Sequence, residues 1–131
     1  MKTRAFLRDV RGASAIEFAF AVPAVLIVMI AILQFGLVLQ ASGAIRHAAG
    51  EGVRYAKVHP TATQTEVLDR VRASLAGVDS DGIVSLDLTR GTSNGAKYSS
   101  VTVKYQLEPI IPFATIAPIV LNESMSSYNP S

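Results

Sequence analysis

Residues 18–45 carry no charged side chain, and this stretch limits what the chain can fold into. A helix needs only about 20 apolar residues to cross the hydrocarbon core of a bilayer. A backbone in lipid must satisfy its hydrogen bonds internally, so a spanning segment of this kind is helical. We therefore predict one transmembrane helix, densest in Ala, Val, Ile and Leu over residues 18–39. Pro23 lies inside it, which membrane helices tolerate.

The residues before this stretch are basic. Asp9 is the only acid among them, and the cations are Lys2, Arg4, Arg8 and Arg11. An excess of Lys and Arg beside a span holds that end in the cytoplasm. We therefore expect a single-pass membrane protein, with these four residues as its cytoplasmic anchor and its C-terminal part exported, into the periplasm if the cell is Gram-negative.

A secretory signal peptide is the alternative reading of the same segment. Such a peptide also starts with basic residues, but its apolar core is about 7–15 residues long and ends at a small-x-small cleavage site. Ala41-Ser42-Gly43 offers such a site only after a run that is already membrane-length. Removal of residues 1 to about 43 stays open as the less favoured possibility.

Composition excludes several classes of function. The 131 residues include 12 basic and 10 acidic side chains, a balance too even for a nucleic-acid partner. The absence of cysteine excludes disulfides and thiolate metal sites. His47 and His59 have no acid spaced to orient them, and no HExxH, GxSxG or phosphate-loop motif is present. We expect no enzyme, no cofactor, no metal and no small-molecule substrate.

The pattern after the span predicts more helix. Residues 41–58 place Ile45, Ala48, Ala49, Val53 and Ala56 at helical spacing, with Arg46, Glu51, Arg54 and Lys57 on the opposite, exposed face. Three glycines favour a bend in this part: Gly43, Gly50 and Gly52. His59-Pro60 ends the helix. Thr63 and Glu66 form a capping box for a second helix with the apolar stripe Val67, Leu68, Val71 and Leu75, and Gly77 is its predicted stop.

The remaining sequence predicts an antiparallel sheet of about three strands. Apolar residues alternate at Val84, Leu86 and Leu88, and again at Val101, Val103, Tyr105 and Leu107. Asn94-Gly95, within residues 91–96, predicts a hairpin turn between them. Residues 119–128 supply a last strand. The apolar, proline-broken residues 110–121 either pack on the long helix or form a patch that faces a partner. The predicted class is α+β.

Residues 11–23 read Arg-Gly-Ala-Ser-Ala-Ile-Glu-Phe-Ala-Phe-Ala-Val-Pro. This segment resembles the N-terminus of TadE-like pseudopilins of tight-adherence (Tad/Flp) type IV pilus systems. Their pattern is a glycine, four mostly small or apolar residues, Glu-Phe or Glu-Tyr, and an apolar helix that often carries proline. The match is close at Gly12, Glu17, Phe18 and Pro23. Residues 48–56 resemble the alanine-rich Arg-Tyr-Ala segment that follows the family's membrane helix.

The resemblance implies a minor pilin or pseudopilin of the bacterial inner membrane that a prepilin peptidase cuts between Gly12 and Ala13. Residues 1–12 are then a basic leader that is removed, 13–40 the transmembrane part of the helix, and 41–131 a periplasmic domain. The implied partners are the peptidase, other pilins or pseudopilins of the system and the inner-membrane assembly platform. The implied roles are pilus assembly, adhesion and biofilm formation, with extraction of the subunit into a pilus or pseudopilus.

The position of Glu17 at the edge of the apolar segment needs a physical reason. A charge buried mid-bilayer costs roughly 2.5–3.5 kcal/mol, and less near the interface. The new amine of Ala13 lies four residues earlier, on the same helix face. An acid in the first helical turn also faces the positive end of the helix dipole. The resemblance implies that this pairing sets the register between subunits, with Glu17 and Phe18 as the candidate residues. The alternatives are that Glu17 sits unpaired at headgroup level, and that the protein is an uncleaved single-pass scaffold or binding protein.

Overall fold

The structure is a computed structural model that describes residues 10–112 and 114–129, with side chains from Gly12 onward. It confirms the α+β class. The elements are helix α1 (Val10–Val58), helix α2 (Gln64–Ala73), a 3-10 turn (Ser80–Gly82), and strands β1 (Ile83–Ser93), β2 (Ala96–Leu107) and β3 (Ile119–Tyr128). The chain divides into two compact units, one ending at Phe35 and the other starting at Gly36.

Helix α1 is long because nothing in its sequence terminates it before His59-Pro60. It remains helical through Pro23 and through the three glycines where we expected a bend. Its end is fixed by the main-chain N–H of His59, which donates to the Tyr55 carbonyl at 2.9 Å, and the His59 ring stacks on Tyr55. Pro60 then prevents helical continuation, so the predicted stop is confirmed.

The core of the second unit is built on one face of α1. The predicted stripe is confirmed, since its five residues and Ala41 are all buried. They pack with residues of α2 and β2, namely Val67, Val71, Val101, Val103 and Tyr105. On the opposite face Arg46, Arg54 and Lys57 are exposed, whereas Glu51 is half-buried beside Arg54. The face of α1 that enters the core is made mostly of alanine, so the helix backbone approaches its neighbours closely.

Helix α2 begins as predicted and ends earlier than predicted. The Thr63 hydroxyl accepts from the Glu66 N–H, and the Glu66 carboxylate accepts from the Thr63 N–H at 2.7 Å, which is the predicted capping box. The helix stops at Ala73, where the Ser74 hydroxyl donates to the Arg70 carbonyl at 2.8 Å. Gly77 is therefore not its stop, and Leu75 is half-buried beyond the helix rather than on its stripe.

The sheet has the order β1-β2-β3, antiparallel throughout. Ser93 pairs with Ala96 across Asn94 and Gly95, whose φ angles of 51° and 81° are those of a two-residue hairpin turn. Most of the predicted connection 91–96 is therefore strand. Residues 119–128 form the third strand, as predicted.

The prediction was wrong about which face of the sheet Val84 occupies. Simple alternation places it with Leu86 and Leu88 on the buried face. The β1–β2 register shifts between Ile83 and Ser85, and this irregularity turns Val84 outward, where it is 57% exposed. Ile83 packs against the core instead. A bulge inserts one extra residue and so reverses the facing of the side chains on one side of it.

The segment between β2 and β3 does not adopt regular secondary structure over its described residues. Ile110 and Ile116 are exposed by 66% and 50%, and among residues 108–112 and 114–118 only Pro109 and Ile111 are half-buried. This exposure disfavours packing of the segment on the long helix. It favours the other interpretation, an apolar patch that faces a partner.

Candidate functional site

The predicted cleavage and register residues lie together on the N-terminal part of α1. Gly12, Ala13, Glu17 and Phe18 are all helical and all exposed within the chain. Of the four predicted anchor residues, Arg11 lies in α1 with its side chain outside the description, and Lys2, Arg4 and Arg8 lie outside the described residues. Orientation in the membrane therefore stays a prediction.

The described surroundings of Gly12 are uncrowded. Among the described residues, and apart from the chain neighbours of Gly12 and the helix backbone around it, no heavy atom lies within 4 Å of the position that a Cβ on Gly12 would occupy. Glycine inside a helix lowers its local stability by roughly 0.5–1 kcal/mol relative to alanine. The bond between Gly12 and Ala13 therefore lies at a weak and accessible point of α1, and Glu17 lies one helical turn beyond Ala13.

The apolar side chains that follow face outward. Phe18 and Phe20 are exposed by 70% and 79%, and Ile27, Leu33 and Phe35 are exposed to a similar degree. The most apolar 18-residue window of the helix has a mean hydropathy of 2.7, and none of it is buried inside the chain. The helix of a soluble core would bury such residues, so this surface requires an apolar environment.

Contacts within the second unit disfavour the signal-peptide interpretation. The apolar composition of the segment alone does not distinguish a signal peptide from a membrane helix. Cleavage near Gly43 would remove Ala41, which is 1% exposed in the core. It would also remove the Gln40 amide that donates to the Gly77 carbonyl at 2.8 Å, and the Ser42 hydroxyl that donates to Glu123 at 2.8 Å. The C-terminal end of the apolar run is therefore part of the folded second unit.

A polar clamp joins α1 to β3 and was not visible in the sequence. The Glu123 carboxylate accepts from the Ser42 hydroxyl at 2.8 Å and from Arg46 Nε and Nη2 at 3.2 Å each. The Arg46 guanidinium, and then the Ser42 hydroxyl, hold the pKa of Glu123 below its usual value. Ser42 and Arg46 share a helix face, but Glu123 lies far along the chain, so periodicity could not find the clamp.

Because of this clamp, we expect the stability of the second unit to depend on pH. Because the folded-state pKa of Glu123 is lowered, its contribution is complete above the ordinary glutamate pKa of about 4.3 and is lost as the pH falls through the folded value. We expect Glu123→Gln to cost about 1 kcal/mol at neutral pH, since Arg46 is largely exposed. The same variant should weaken the acid dependence of unfolding.

Denaturant unfolding of the full chain in detergent at a series of pH values measures this effect. Glu66→Gln is the comparison within a local cap: because the Thr63 main-chain N–H lowers the pKa of Glu66, this variant should also weaken the acid dependence, while it leaves the contact between α1 and β3 intact. If the free energy of unfolding falls with decreasing pH in the same way in wild type and Glu123→Gln, the proposed role of Glu123 is contradicted.

The residues considered for catalysis lie apart. His47 is exposed on α1, and His59 lies at its end with Nδ1 3.3 Å from the Tyr55 carbonyl. A cavity of about 480 Å³ is lined by Asp79, Asp81, Tyr105 and Glu108 among others. The described residues contain no cluster of three or more His, Asp or Glu side chains that could bind a metal ion.

These features define a class of protein. Within the described residues, the chain has one candidate membrane helix near its N-terminus, followed by a small α+β unit. The model of the TadE-like protein family matches residues 12–54, about a third of the chain. The resemblance predicted from residues 11–23 and 48–56 is thereby confirmed, and residues 12–54 are similar to TadE-like proteins. The match indicates a pilus-associated protein, fits a membrane location, and points to a family of pilus components rather than enzymes. Comparison with curated proteins and with solved structures finds no match.

Proposed function

We propose that this chain is a minor pilin or pseudopilin of a tight-adherence (Tad/Flp) system and takes part in pilus assembly, and through it in adhesion and biofilm formation. The observation that carries the proposal is the family match over residues 12–54, which starts at the glycine and includes Glu17, Phe18 and the apolar helix. The proposed partners are a prepilin peptidase, other pilins of the system and its inner-membrane assembly platform.

The first step is trimming of the leader. The peptidase hydrolyses the peptide bond after Gly12 and leaves Ala13 with a free amine. Glycine suits this position because no side chain blocks access to its carbonyl, and the surroundings of Gly12 are open. The bond must be cut at the cytoplasmic membrane face, since a charged Arg11 resists burial.

The second step is assembly through Glu17. Once Ala13 is an N-terminus, its ammonium group lies one turn from the Glu17 carboxylate in the same chain, or meets the Glu17 of a neighbouring subunit. Either pairing offsets the cost of placing a carboxylate at the membrane edge. Pairing between chains also fixes the axial position of one subunit against the next. Phe18, which is exposed in the single chain, is available to pack against a neighbouring helix.

The intact mass of the membrane-extracted protein tests the proposal. In cells with the system's prepilin peptidase we expect the mass of a chain that starts at Ala13. In cells without the peptidase we expect the full chain. A full-length mass in both strains would favour the alternative, an uncleaved single-pass protein with a periplasmic scaffold domain. A mass starting near residue 44 would favour a signal peptide.

A further inference from the structure

Strand β3 and the adjacent part of α1 run in the same direction. The Glu123 carboxylate accepts from the Arg46 side chain. Two residues further along the strand, Met125 Cε lies 4.0 Å from the position of a Cβ on Gly50, which is about one helical turn further along α1. Ile119, where β3 begins, is therefore at the end of the second unit through which α1 enters it.

The connection between β2 and β3, described at residues 108–112 and 114–118, lies at this same end. Leu107, where β2 ends, pairs with Ile119. Ile119 precedes Glu123 by four strand residues, about 13 Å, which is the length of about nine helical residues. Counted back from Arg46, the connection therefore begins near the level of residues 36–40. These residues start the second unit and also end the predicted membrane segment.

The exposed side chains at this end of the unit are largely apolar. Ile110 and Ile116 of the connection are exposed by 66% and 50%, and Val84 and Val120 on the neighbouring strands by 57% and 60%. Residues 109–122 contain no charged side chain. An exposed group of large apolar side chains on a folded unit marks an interaction surface.

The opposite end of the sheet is polar. Strands β1 and β2 meet there in the Asn94-Gly95 turn, and residues 89–100 contain no Val, Ile, Leu, Met or Phe. Arg90 and Lys97 add charge at this end. The two ends of the sheet therefore differ as expected for a unit with one end against a bilayer and the other in water.

The backbone of the connection suits the boundary between lipid headgroups and acyl chains. Irregular backbone does not enter the hydrocarbon core, because its hydrogen-bonding groups would be unsatisfied there. At the boundary, water and headgroups still reach the backbone, while apolar side chains enter the lipid to a depth of about 5–10 Å. Pro109, Pro112 and Pro118 also reduce the number of N–H groups that need an acceptor.

The charged groups near the connection indicate how it binds lipid. Asp79, Asp81 and Glu108 line a cavity together with Tyr105, at the same end of the unit. Carboxylates repel anionic headgroups, so the attraction comes from the apolar side chains. Binding therefore does not require anionic lipid.

We propose that the connection between β2 and β3 inserts into the headgroup and acyl boundary of the bilayer that α1 spans, through Ile110 and Ile116. This contact holds the second unit against the membrane surface. It requires the predicted membrane helix, but neither cleavage after Gly12 nor assembly into a pilus. Its failure and the failure of the proposed pilin function are therefore separate results.

Spin labels on single engineered cysteines test the proposal, because the chain has no cysteine of its own. The full chain is reconstituted into phosphatidylcholine vesicles. The accessibility of each label to oxygen, which concentrates in lipid, is compared with its accessibility to a water-soluble nickel chelate. Thr115→Cys places the label on the connection. Thr92→Cys is the matched control, since both threonines are exposed and Thr92 lies beside the turn at the polar end of the sheet.

We expect the oxygen-to-nickel ratio at Thr115→Cys to exceed that at Thr92→Cys by about threefold or more, because the lipid boundary excludes the chelate. Mixing phosphatidylglycerol into the vesicles should leave this difference unchanged. Equal ratios at the two positions, or a difference that appears only with phosphatidylglycerol, would overturn the proposal. A label at Ile27→Cys reports separately whether α1 lies in lipid. A lipid signal at Ile27→Cys with an aqueous signal at Thr115→Cys would retain the membrane helix and overturn the inserted connection.

A substitution tests the apolar contact itself. In the Thr115→Cys background, Ile110→Asn should lower the oxygen-to-nickel ratio toward the value at Thr92→Cys. Val58→Asn is the control, since Val58 at the far end of α1 is 64% exposed and Ile110 is 66% exposed. This control should leave the ratio unchanged, and the protease resistance of the second unit shows whether each variant is folded.

Two results would contradict insertion into lipid. One is an unchanged ratio in a folded Ile110→Asn variant. The other is a label at Thr115→Cys that neither oxygen nor the nickel chelate reaches, because protein from a second copy would then cover the connection in place of lipid.

Discussion

The Gly52→Val variant is expected to lose about 3 kcal/mol of stability, at the upper end of the cost of overpacking a core. Gly52 is buried on the face of α1 that meets α2 and β2. A Cβ at this position would lie 2.3 Å from Val71 Cγ2 and 3.5 Å from Val101 Cγ2. Neither neighbour can move into free space, because Val71 and Val101 are themselves fully buried. The helix and its neighbours must therefore separate.

Gly43→Val is the matched control, since it adds the same side chain to the same helix. Apart from its chain neighbours and the local helix backbone, no described heavy atom lies within 4 Å of a Cβ at Gly43, and the residue is exposed. Valine is slightly better than glycine inside a helix, so this variant should be neutral or more stable by a few tenths of a kcal/mol.

Thermal unfolding of the full chain in detergent, followed through its tyrosines, measures both variants. A cost of about 3 kcal/mol corresponds to a fall in Tm of more than about 10 °C for a unit of this size. If Gly52→Val and Gly43→Val unfold together, α1 does not approach Val71 as the structure describes.

The second large effect is expected at the cleavage position. Gly12→Leu should abolish removal of the leader, because a branched side chain at this position blocks the peptidase from the carbonyl that it must attack. The open surroundings of Gly12 mean that leucine causes no clash within the chain. Membrane insertion should therefore be unchanged, and intact mass should show only full-length protein in cells that contain the peptidase.

Glu17→Ala separates trimming from assembly. It leaves the cleavage position intact, so the mature mass starting at Ala13 should appear as in wild type. It removes the carboxylate that pairs with the new amine, so incorporation into a pilus and surface adhesion should fall sharply. Normal adhesion by a trimmed Glu17→Ala protein would count against the pairing, and trimming of Gly12→Leu at the wild-type rate would count against cleavage after Gly12.

Local patterns in the sequence predicted most of the secondary structure. The apolar spacing from Ile45 to Ala56 is the buried face of α1, and Thr63 with Glu66 caps α2, because both signals depend on residues within a turn or two of each other. The family segment was likewise predicted from adjacent residues, Gly12 to Phe18 above all, and the family match covers them.

The features that the sequence did not predict depend on contacts between distant residues. The outward position of Val84 follows from the register between β1 and β2, which alternation in one strand does not contain. The clamp on Glu123 depends on two residues of a helix far from it in sequence. Gly52 was interpreted as a bend because glycine weakens helices, whereas its position beside Val71 requires a residue without a side chain.

The alanine-rich buried face of α1 decides which kind of mutagenesis is informative for this protein. Ala41, Ala48, Ala49 and Ala56 are at most 1% exposed, and an alanine scan leaves all four unchanged. Such a scan would therefore rank the helix that organises the second unit as dispensable. A scan with leucine would reverse that ranking, because these positions need a small side chain for α1 to pack closely, and a larger one would force the packed elements apart.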